Sequence, residues 1–298
     1  MRWPKRSTNR CCLLLALLAL GGTAQAEERW RVVVAELVGV AVAGERNPLM
    51  EMLAALDQQL EGVTLEVRLQ PFARTMLLVQ QGRAELQFPY IELPQPPTGL
   101  RYGEESIGTV RFMLYSRRDQ PLSRQQVMSE RWRLSEARLA QSGLQLDAAQ
   151  LERLRPLFGQ RWRREQLAVQ LGSRPELTAL AFPYRIETER AHVEALGIPV
   201  LPSNSVASSL EKLVRRRIDG YVLAPLNVEP EIDRLRLRDE LQGVGFADYR
   251  AGWLVADTPQ GTAIAARVSA GLRALKASGE FERIMGPMLR QMKGRDWP

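Results

Sequence analysis

The chain has 298 residues and a formal charge of +7, from 41 basic and 34 acidic side chains. That length is enough to bury one large core or two medium ones. Four of the basic residues and both cysteines lie in the first 12 positions, so 37 basic and 34 acidic residues, and no thiol, remain from Glu27 onward. The basic balance is therefore no argument for nucleic-acid binding, and the chain from Glu27 can hold no disulfide, cysteine metal site or cysteine nucleophile.

The amino terminus has the three parts of a secretory signal peptide. The basic stretch MRWPKRSTNR is followed by the apolar stretch CCLLLALLALGG, and Ala24-Gln25-Ala26 has the small-residue pattern of a cleavage site. The apolar stretch is shorter than the ~20 residues that cross a bilayer. Residues 1–26 are therefore predicted to be a signal peptide whose removal leaves a periplasmic protein beginning at Glu27.

Residues 31–90 alternate between strand and helix patterns. Apolar or alternating runs predict strands at 31–38, 63–70 and 84–90, and helical stripes predict helices at 47–60 and 73–82. Asn47 and Pro48 are typical of a helix start, and Gly82 is typical of a helix end. The order strand, helix, strand, helix, strand predicts a parallel sheet with right-handed crossovers.

A second α/β unit follows a long strand predicted at 107–117. The polar and charged segment of about 119–155 predicts a helical insertion with two helices. Beyond it, the patterns predict a strand, a glycine turn and a helix start at 166–176, helices at 187–197 and 205–217, and strands at 198–202, 218–224 and 251–257. Two amphipathic helices complete the chain.

Three stretches, in this order and spacing, carry a resemblance to a known family. They are GRAEL at 82–86, RRIDGYVLA at 216–224 and LKASGEFERIM at 275–285. With them, nearly the whole chain after the signal peptide resembles the bacterial extracellular solute-binding proteins of family 3, the polar amino-acid ABC-transporter type. The resemblance implies an α/β, two-lobed, periplasmic-binding-protein-like fold of type II, with two crossing strands as its hinge.

The resemblance also implies a division of the chain and a role. The first lobe is expected at 27–115 plus 250–298, and the second lobe, with the insertion, at 116–249. Such a protein captures a small polar ligand, amino-acid-like or carboxylate-bearing, for a membrane transporter. The alternative is a different class of protein: a sensory module that docks a receptor, or an orphan binding protein whose cleft has lost the ancestral ligand specificity. No cofactor, metal or nucleic acid is expected, and the protein is expected to be a monomer.

Ligands of open α/β sheets bind beyond the carboxyl ends of the strands. The residues at those ends give the candidate binding set: Glu36, Phe72, Arg74, Phe88, Tyr90, Ser173, Arg174 and Asn204. A helix start at Ser173 would offer N–H groups to an anion, and Arg174 would add a bidentate contact. Ser173 with Glu176 also fits a capping box that merely completes the helix. Glu36 either bonds local backbone or meets a cationic group of the ligand, and the aromatic residues wall the cleft or belong to the core.

Two anchors of an amino-acid binder are not at their usual places. The segment after the third strand has no arginine before Arg101, and Ala224-Pro225 stands where the family has an aspartate for the α-ammonium group. Asp219 matches the family's helix-to-strand corner and is expected to accept backbone hydrogen bonds there. The ligand is therefore less well indicated than the fold.

The sequence favours a binding protein over an enzyme. It has no G-x-S-x-G, H-E-x-x-H, P-loop or dinucleotide motif. Its single histidine, His192, lies on a predicted helix beside Arg190 and Glu194 and is expected at the surface. A lyase or dehydratase with Glu36 or Glu92 as general acid or base remains the enzymatic alternative.

Overall fold

The structure is a computed structural model that describes residues 28–37, 40–41, 44, 47–129, 131–172, 174–294 and 297. The predicted signal peptide, its cleavage site and the candidate Ser173 lie outside the described residues.

The strands follow the chain from Glu28 to Ala256. They are β1 Glu28–Glu36, β2 Val63–Pro71, β3 Leu86–Ile91, β4 Leu100–Tyr102, β5 Gly108–Arg117, β6 Arg131–Trp132, β7 Trp162–Arg163, β8 Ile186–Glu189, β9 Leu201–Ser203, β10 Gly220–Leu223 and β11 Leu241–Ala256.

The helices alternate with these strands and close the chain. They are α1 Pro48–Asp57, α2 Phe72–Gln80, α3 Arg124–Val127, α4 Glu136–Gln141, α5 Ala148–Leu154, α6 Arg164–Gln170, α7 Pro175–Ala181, α8 Val206–Val214, α9 Pro225–Leu235, α10 Pro259–Ala277 and α11 Glu280–Met292, with 3-10 turns at Arg155–Leu157 and Arg190–Leu196.

One mixed sheet runs through the described chain in the order β2-β1-β3-β11-β5-β10-β8-β9, and β4 pairs with β11. At one end of the sheet, β1 is parallel to β2 and β3, and at the other end β8 is parallel to β9 and β10. Between these parallel groups, β11 and β5 are antiparallel over a long register. Each parallel group with its helices forms one lobe, so the expected two-lobed α/β fold is confirmed.

The central strand of the first lobe, β1, is apolar on both faces, and the helices beside it each bury one apolar stripe. Trp30 and Val32 are buried on one face of β1 and Val33 on the other, as a strand covered by helices on both faces requires. The side chain of Asn47 accepts the Met50 N–H at 3.0 Å and so caps α1 as predicted. The predicted strands and helices between residues 31 and 90 are all present.

Three predictions for the second lobe are wrong in part. The predicted strand that begins at 166 is helix α6, and Leu167 and the C-cap residue Leu171 are buried four residues apart, the spacing of a helix face. The predicted helix at 187–197 begins as β8 and continues as a 3-10 turn to Gly197. The insertion at 119–155 holds three short helices and a strand rather than two helices.

Strands β5 and β11 join the lobes, and the side chain of Trp297 packs against both strands. Their register runs from Leu241 opposite Arg117 to Ala251 opposite Gly108, with one shift between Gly245 and Ala247. Trp297, beyond helix α11 of the first lobe, packs edge-on against Tyr115 of β5 with ring centroids 5.9 Å apart. A β-carbon at Gly243 of β11 would lie 2.8 Å from the Trp297 indole nitrogen, so the close approach requires glycine there.

Candidate functional site

Two adjoining cavities lie where the carboxyl ends of the parallel strands of both lobes face each other. We call the smaller one, of about 60 Å³, the apolar chamber, and the larger one, of about 470 Å³, the polar chamber. Leu37, Glu189 and Asn227 line both cavities, so the two chambers meet at these residues. This is the place at which an open α/β sheet holds its ligands.

The apolar chamber is walled by aromatic and aliphatic side chains from both lobes and from the crossing strands. Its wall residues are Leu37, Val40, Phe72, Pro89, Tyr90, Ile91, Val110, Phe112, Glu189, His192, Ala224, Leu226, Asn227, Ala251 and Met292. The rings of Phe72 and Tyr90 are stacked, with centroids 5.8 Å apart and planes 17° from parallel. Because Phe72 begins α2 and Tyr90 lies near the end of β3, both rings lie at the cleft edge of the first lobe.

The polar chamber lies beyond the ends of β1, β8, β9 and β10. Its wall residues are Glu36, Leu37, Glu189, Ser203, Asn204, Ser205, Val206, Ala207, Tyr221, Leu223, Asn227, Glu231 and Arg234. Ser205 is the N-cap of α8 and accepts the Ser208 N–H at 3.2 Å. The amino end of α8 therefore opens on this chamber, opposite Glu36 of the first lobe.

The charged walls of the polar chamber are predominantly acidic. In the part of the wall that the structure describes, they carry the carboxylates of Glu36, Glu189 and Glu231 and one guanidinium, that of Arg234. Arg234 Nη2 lies 2.7 Å from Glu231 Oε2, so that cation is already paired. At the rim, Arg190 Nη2 donates to Asn204 Oδ1 at 3.4 Å. Among the described wall residues, no cation is thus left for the Glu36 and Glu189 carboxylates, which face the chamber.

His192 lines the candidate site although the sequence predicted it at the surface. The prediction of a surface position is contradicted, because His192 is only 7% exposed and lines the apolar chamber. Its ring lies edge-on to Phe112 at 5.1 Å and tilted against Phe72 at 6.0 Å. The charged neighbours of His192 suggested a solvent-exposed face of an α-helix. The segment is instead a 3-10 turn, whose three-residue repeat points different residues inward than an α-helix would. The only available sequence signal was the position of His192 just after a strand end.

Tyr90 shows how strongly the chamber excludes water. Burial, followed by the nearby phenol of Tyr102 and the charge of Glu194, raises the pKa of Tyr90 to about 12. A buried phenol resists ionisation because the charged form loses its hydration. Tyr90 is therefore a neutral wall of the chamber throughout the physiological pH range.

Four of the predicted binding residues line the chambers. Phe72 and Tyr90 line the apolar chamber, and Glu36 and Asn204 line the polar chamber. Glu36 is exposed to the cavity rather than buried beneath it. These four residues come from both lobes, as a ligand that joins the lobes would require.

Two other predicted residues, Phe88 and Arg74, lie elsewhere. Phe88 is fully buried and stacks on Trp253 with ring centroids 5.4 Å apart, deeper in the sheet than Tyr90. Arg74 lines a separate surface cavity with Arg31 and other arginines.

Arg174 and Glu92 also lie outside both chambers. Arg174 Nε donates to Glu176 Oε1 at 2.8 Å, and its side chain is 35% exposed. Burial raises the pKa of Glu92, and the guanidinium of Arg250, 3.2 Å away, opposes that shift. Glu92 therefore has the pKa direction of a general acid, but it lines neither chamber.

Within the described ranges, no three His, Cys, Asp or Glu side chains are grouped as a metal site would require. In the same part of the chain, every helix is too short or too polar to cross a membrane.

Solved structures share this fold. A histidine kinase sensor domain with similarity to periplasmic binding proteins matches with a TM-score of 0.55 and 17% identity, over 88% of this chain and 97% of its own. The GluR0 ligand-binding core from Nostoc punctiforme, in complex with L-glutamate, matches with a TM-score of 0.54 and 9% identity, over 87% and 98%. An amino acid ABC transporter substrate-binding protein from Streptococcus pneumoniae, bound to L-arginine, matches with a TM-score of 0.52 and 12% identity, over 91% and 98%.

The chain thus has the fold of the periplasmic binding proteins and of related sensor domains. No protein-family model matches it, and no curated protein matches it in sequence. At these identities the likeness establishes the fold, and the role of the cleft has to be argued from its own residues.

Proposed function

We propose that this protein is a periplasmic solute-binding protein that captures a small amine with an apolar group, amino acids with apolar side chains included. The observation that carries the proposal is the junction of the two chambers at Leu37, Glu189 and Asn227. A ligand that spans this junction places its apolar group between the walls of Phe72 and Phe112 and its ammonium group beside Glu189. Delivery to a membrane transporter is the role proposed for the loaded protein.

The acidic walls support an amine rather than a simple carboxylate ligand. A like charge beside Glu36 and Glu189 would be repelled, whereas an ammonium group can form charge-assisted hydrogen bonds with them. The amino end of α8, on the same chamber, offers N–H groups that suit the carboxylate of an amino acid. Arg174, predicted as an anion-holding residue, is paired with Glu176 outside the chambers and so gives no support for a ligand bound through its carboxylate alone.

The proposal assigns the two lobes to 27–115 plus 250–298 and to 116–249, with the hinge in β5 and β11. A ligand closes such a hinge only if it binds the closed state better than the open state. Glu36 on one lobe and Glu189 on the other both line the polar chamber, so a ligand bound there can contact both lobes. We therefore propose that the closed form is the loaded form.

The ligand class is tested with matched amines and acids. Phenethylamine, isoamylamine and L-leucine are expected to raise thermal stability, since a ligand bound only to the folded state at one hundred times its Kd adds ~2.7 kcal/mol. Hydrocinnamate, which replaces the amine of phenethylamine by a carboxylate, is expected to have no effect. The proposal would be contradicted if hydrocinnamate raised thermal stability and the amines did not.

The site is tested with Glu189→Gln, which keeps the shape of the side chain and removes its charge. The loss of one charge-assisted contact, about 1.5–3 kcal/mol, predicts a ten- to hundredfold weaker Kd for phenethylamine by calorimetry. Arg174→Ala is the control, because it removes a charge outside both chambers and is expected to leave Kd unchanged. Equal losses in both variants would remove Glu189 from its proposed role.

A sensory role is the second candidate, favoured by the likeness to a histidine kinase sensor domain. The two roles differ in what a deletion strain loses. Loss of uptake of the bound solute supports transport, whereas intact uptake with a lost transcriptional response supports a sensor.

Export is proposed to follow cleavage after Ala26. The pattern Ala24-Gln25-Ala26 predicts that protein recovered from the periplasm begins at Glu27. Amino-terminal sequencing checks this, and periplasmic material that begins at Met1 would contradict it.

A further inference from the structure

The single histidine of the chain is a buried residue in the wall of the apolar chamber. His192 contacts Phe72 of the first lobe and Phe112 of a crossing strand, and no hydrogen-bond partner for its Nδ1 occurs among the described residues. The group nearest to that nitrogen with a formal charge is the Glu189 carboxylate, whose Oε2 is 3.5 Å away. This separation suits an ion pair once the imidazole is protonated, and a small movement would complete a hydrogen bond.

Glu189 is the carboxylate shared by the two chambers, and its side chain is 38% exposed. It therefore faces His192 on one side and the space for the ligand on the other. The geometry points to a proton-linked site, in which protonated His192 and the ammonium group of the ligand compete for Glu189. His192 is then a positioning residue that acts through Glu189, and this inference rests on the proposed binding of an amine at that carboxylate.

The surroundings of His192 leave few other groups that change charge near neutral pH. Glu189 lies on β8, Arg190 and Glu194 on the same turn as His192, Tyr90 on β3, and Tyr249, which donates to the Ala195 carbonyl at 3.0 Å, on β11. Arginine and tyrosine titrate well above pH 8, and glutamate titrates mainly below pH 5. Histidine is the side chain that changes charge between pH 5 and 8.

The sign of the linkage follows from the charges. When the imidazole is protonated, its positive charge neutralises Glu189 and repels the ammonium group of the ligand. When the imidazole is neutral, Glu189 is free to bind the ligand. Ligand binding therefore releases a proton, and by reciprocity a fall in pH weakens binding. With strong coupling, Kd rises by up to about tenfold for each pH unit below the midpoint of His192 in the free protein.

The first experiment needs no ligand. Because the chain has one histidine, tag-free protein gives one imidazole Hε1 signal by proton NMR, and that signal is followed from pH 5 to 8. Glu189→Gln is expected to lower the titration midpoint, because it removes the charge that favours the imidazolium form. Glu211→Gln, a charge removal on the exposed side of α8, is the control and is expected to leave the midpoint in place. Equal midpoints in wild type and Glu189→Gln would overturn the inference.

The second experiment measures the linkage with phenethylamine as the probe. In the wild type, calorimetry in buffers of different ionisation enthalpy is expected to show proton release, and Kd is expected to rise toward pH 5. In His192→Gln, and in His192→Asn should the first variant fold poorly, Kd is expected to be independent of pH, whatever its value at pH 8. A wild-type Kd that does not change with pH, or the same slope in wild type and variant, overturns the inference alone. Absence of phenethylamine binding at every pH overturns the proposed function and the inference together.

Discussion

Asp219 holds the corner at which α8 turns into β10. Its Oδ2 accepts the Arg185 N–H at 2.7 Å, and its own N–H donates to the Arg185 carbonyl at 2.8 Å. The Arg185 guanidinium donates in turn to the carbonyl of Arg216, a residue with a positive φ of 61°. One carboxylate thus ties the beginning of β8 to a strained turn, which confirms the structural role predicted for it.

Asp219→Ala is expected to lower the free energy of unfolding by about 0.5–1.5 kcal/mol, because the exposed hydrogen bond from the Arg185 N–H is lost. Asp219→Asn keeps an acceptor oxygen and is expected to lose less. Urea denaturation measures both variants. Ligand affinity is expected to stay the same, since Asp219 lines neither chamber, and a large change in affinity would place the corner in the binding mechanism.

The alternation of helices and strands could be predicted because most elements have a clear period. Strands β1, β2 and β3 and helices α1 and α2 follow it closely. The stretch that begins at residue 166 could not be resolved in this way, because a short apolar run fits a strand and a buried helix equally well. The helix α6 forms because, in the folded protein, helical geometry buries both Leu167 and Leu171 in the core.

The candidate site was predictable to the extent that strand ends specify it. Glu36, Phe72, Tyr90 and Asn204 lie at such ends and line the chambers, whereas Phe88 lies two residues deeper along β3 and is covered. A strand end gives the edge of the sheet, but not the depth of each side chain below that edge. The burial of His192 was not predicted because a short 3-10 turn shows no extended hydrophobic periodicity from which the buried positions could be identified.

The segment between β4 and β5 is fastened to helix α10 by Glu105. Its carboxylate lies 2.7 Å from Lys276 Nζ and 3.5 Å from Arg273 Nη1, and its carbonyl accepts the Trp253 indole N–H at 2.8 Å. The hydrogen bond from Lys276, with the Arg273 contacts, lowers the pKa of Glu105.

A lowered pKa means that the unfolded chain binds more protons than the folded chain at moderately acidic pH. The stabilisation from Glu105 is therefore complete above the ordinary glutamate value of about 4.3 and is lost as the pH falls through the lower pKa of the folded state. Glu105→Gln is expected to cost about 1 kcal/mol or less at pH 7 and nothing at pH 2. Denaturation at both pH values measures this difference, and an equal cost at both would contradict it.

Across the whole molecule, a side-chain contact of Trp297 ties the lobes together in addition to the two crossing strands. The crossing strands β5 and β11 carry a pair between Arg111 and Asp248 at 2.8 Å, and its hydrogen bond lowers the pKa of Asp248. The Trp297 ring contacts Tyr115 and lies above Gly243. The Arg238 guanidinium lies over the same ring, 5.0 Å from its centroid. Arginine over an indole face is an attractive cation–π arrangement.

Trp297→Ala is expected to lower the free energy of unfolding by about 1–3 kcal/mol, since a large, partly buried ring is removed from above Gly243. Trp297→Phe keeps an aromatic ring against Tyr115 and is expected to lose less. Urea denaturation of both variants measures the difference. An unchanged stability in Trp297→Ala would show that the contact contributes nothing to the folded state.

The position of Trp297 also determines at which terminus an affinity tag should be placed. An affinity tag fused after Pro298 begins next to a side chain that rests on the crossing strands, so its bulk would bear on the joint between the lobes. A tag before Glu28 instead enters at the start of β1, at the opposite end of that strand from Glu36 and the polar chamber. Removable amino-terminal tags are therefore the better choice for every binding measurement on this protein.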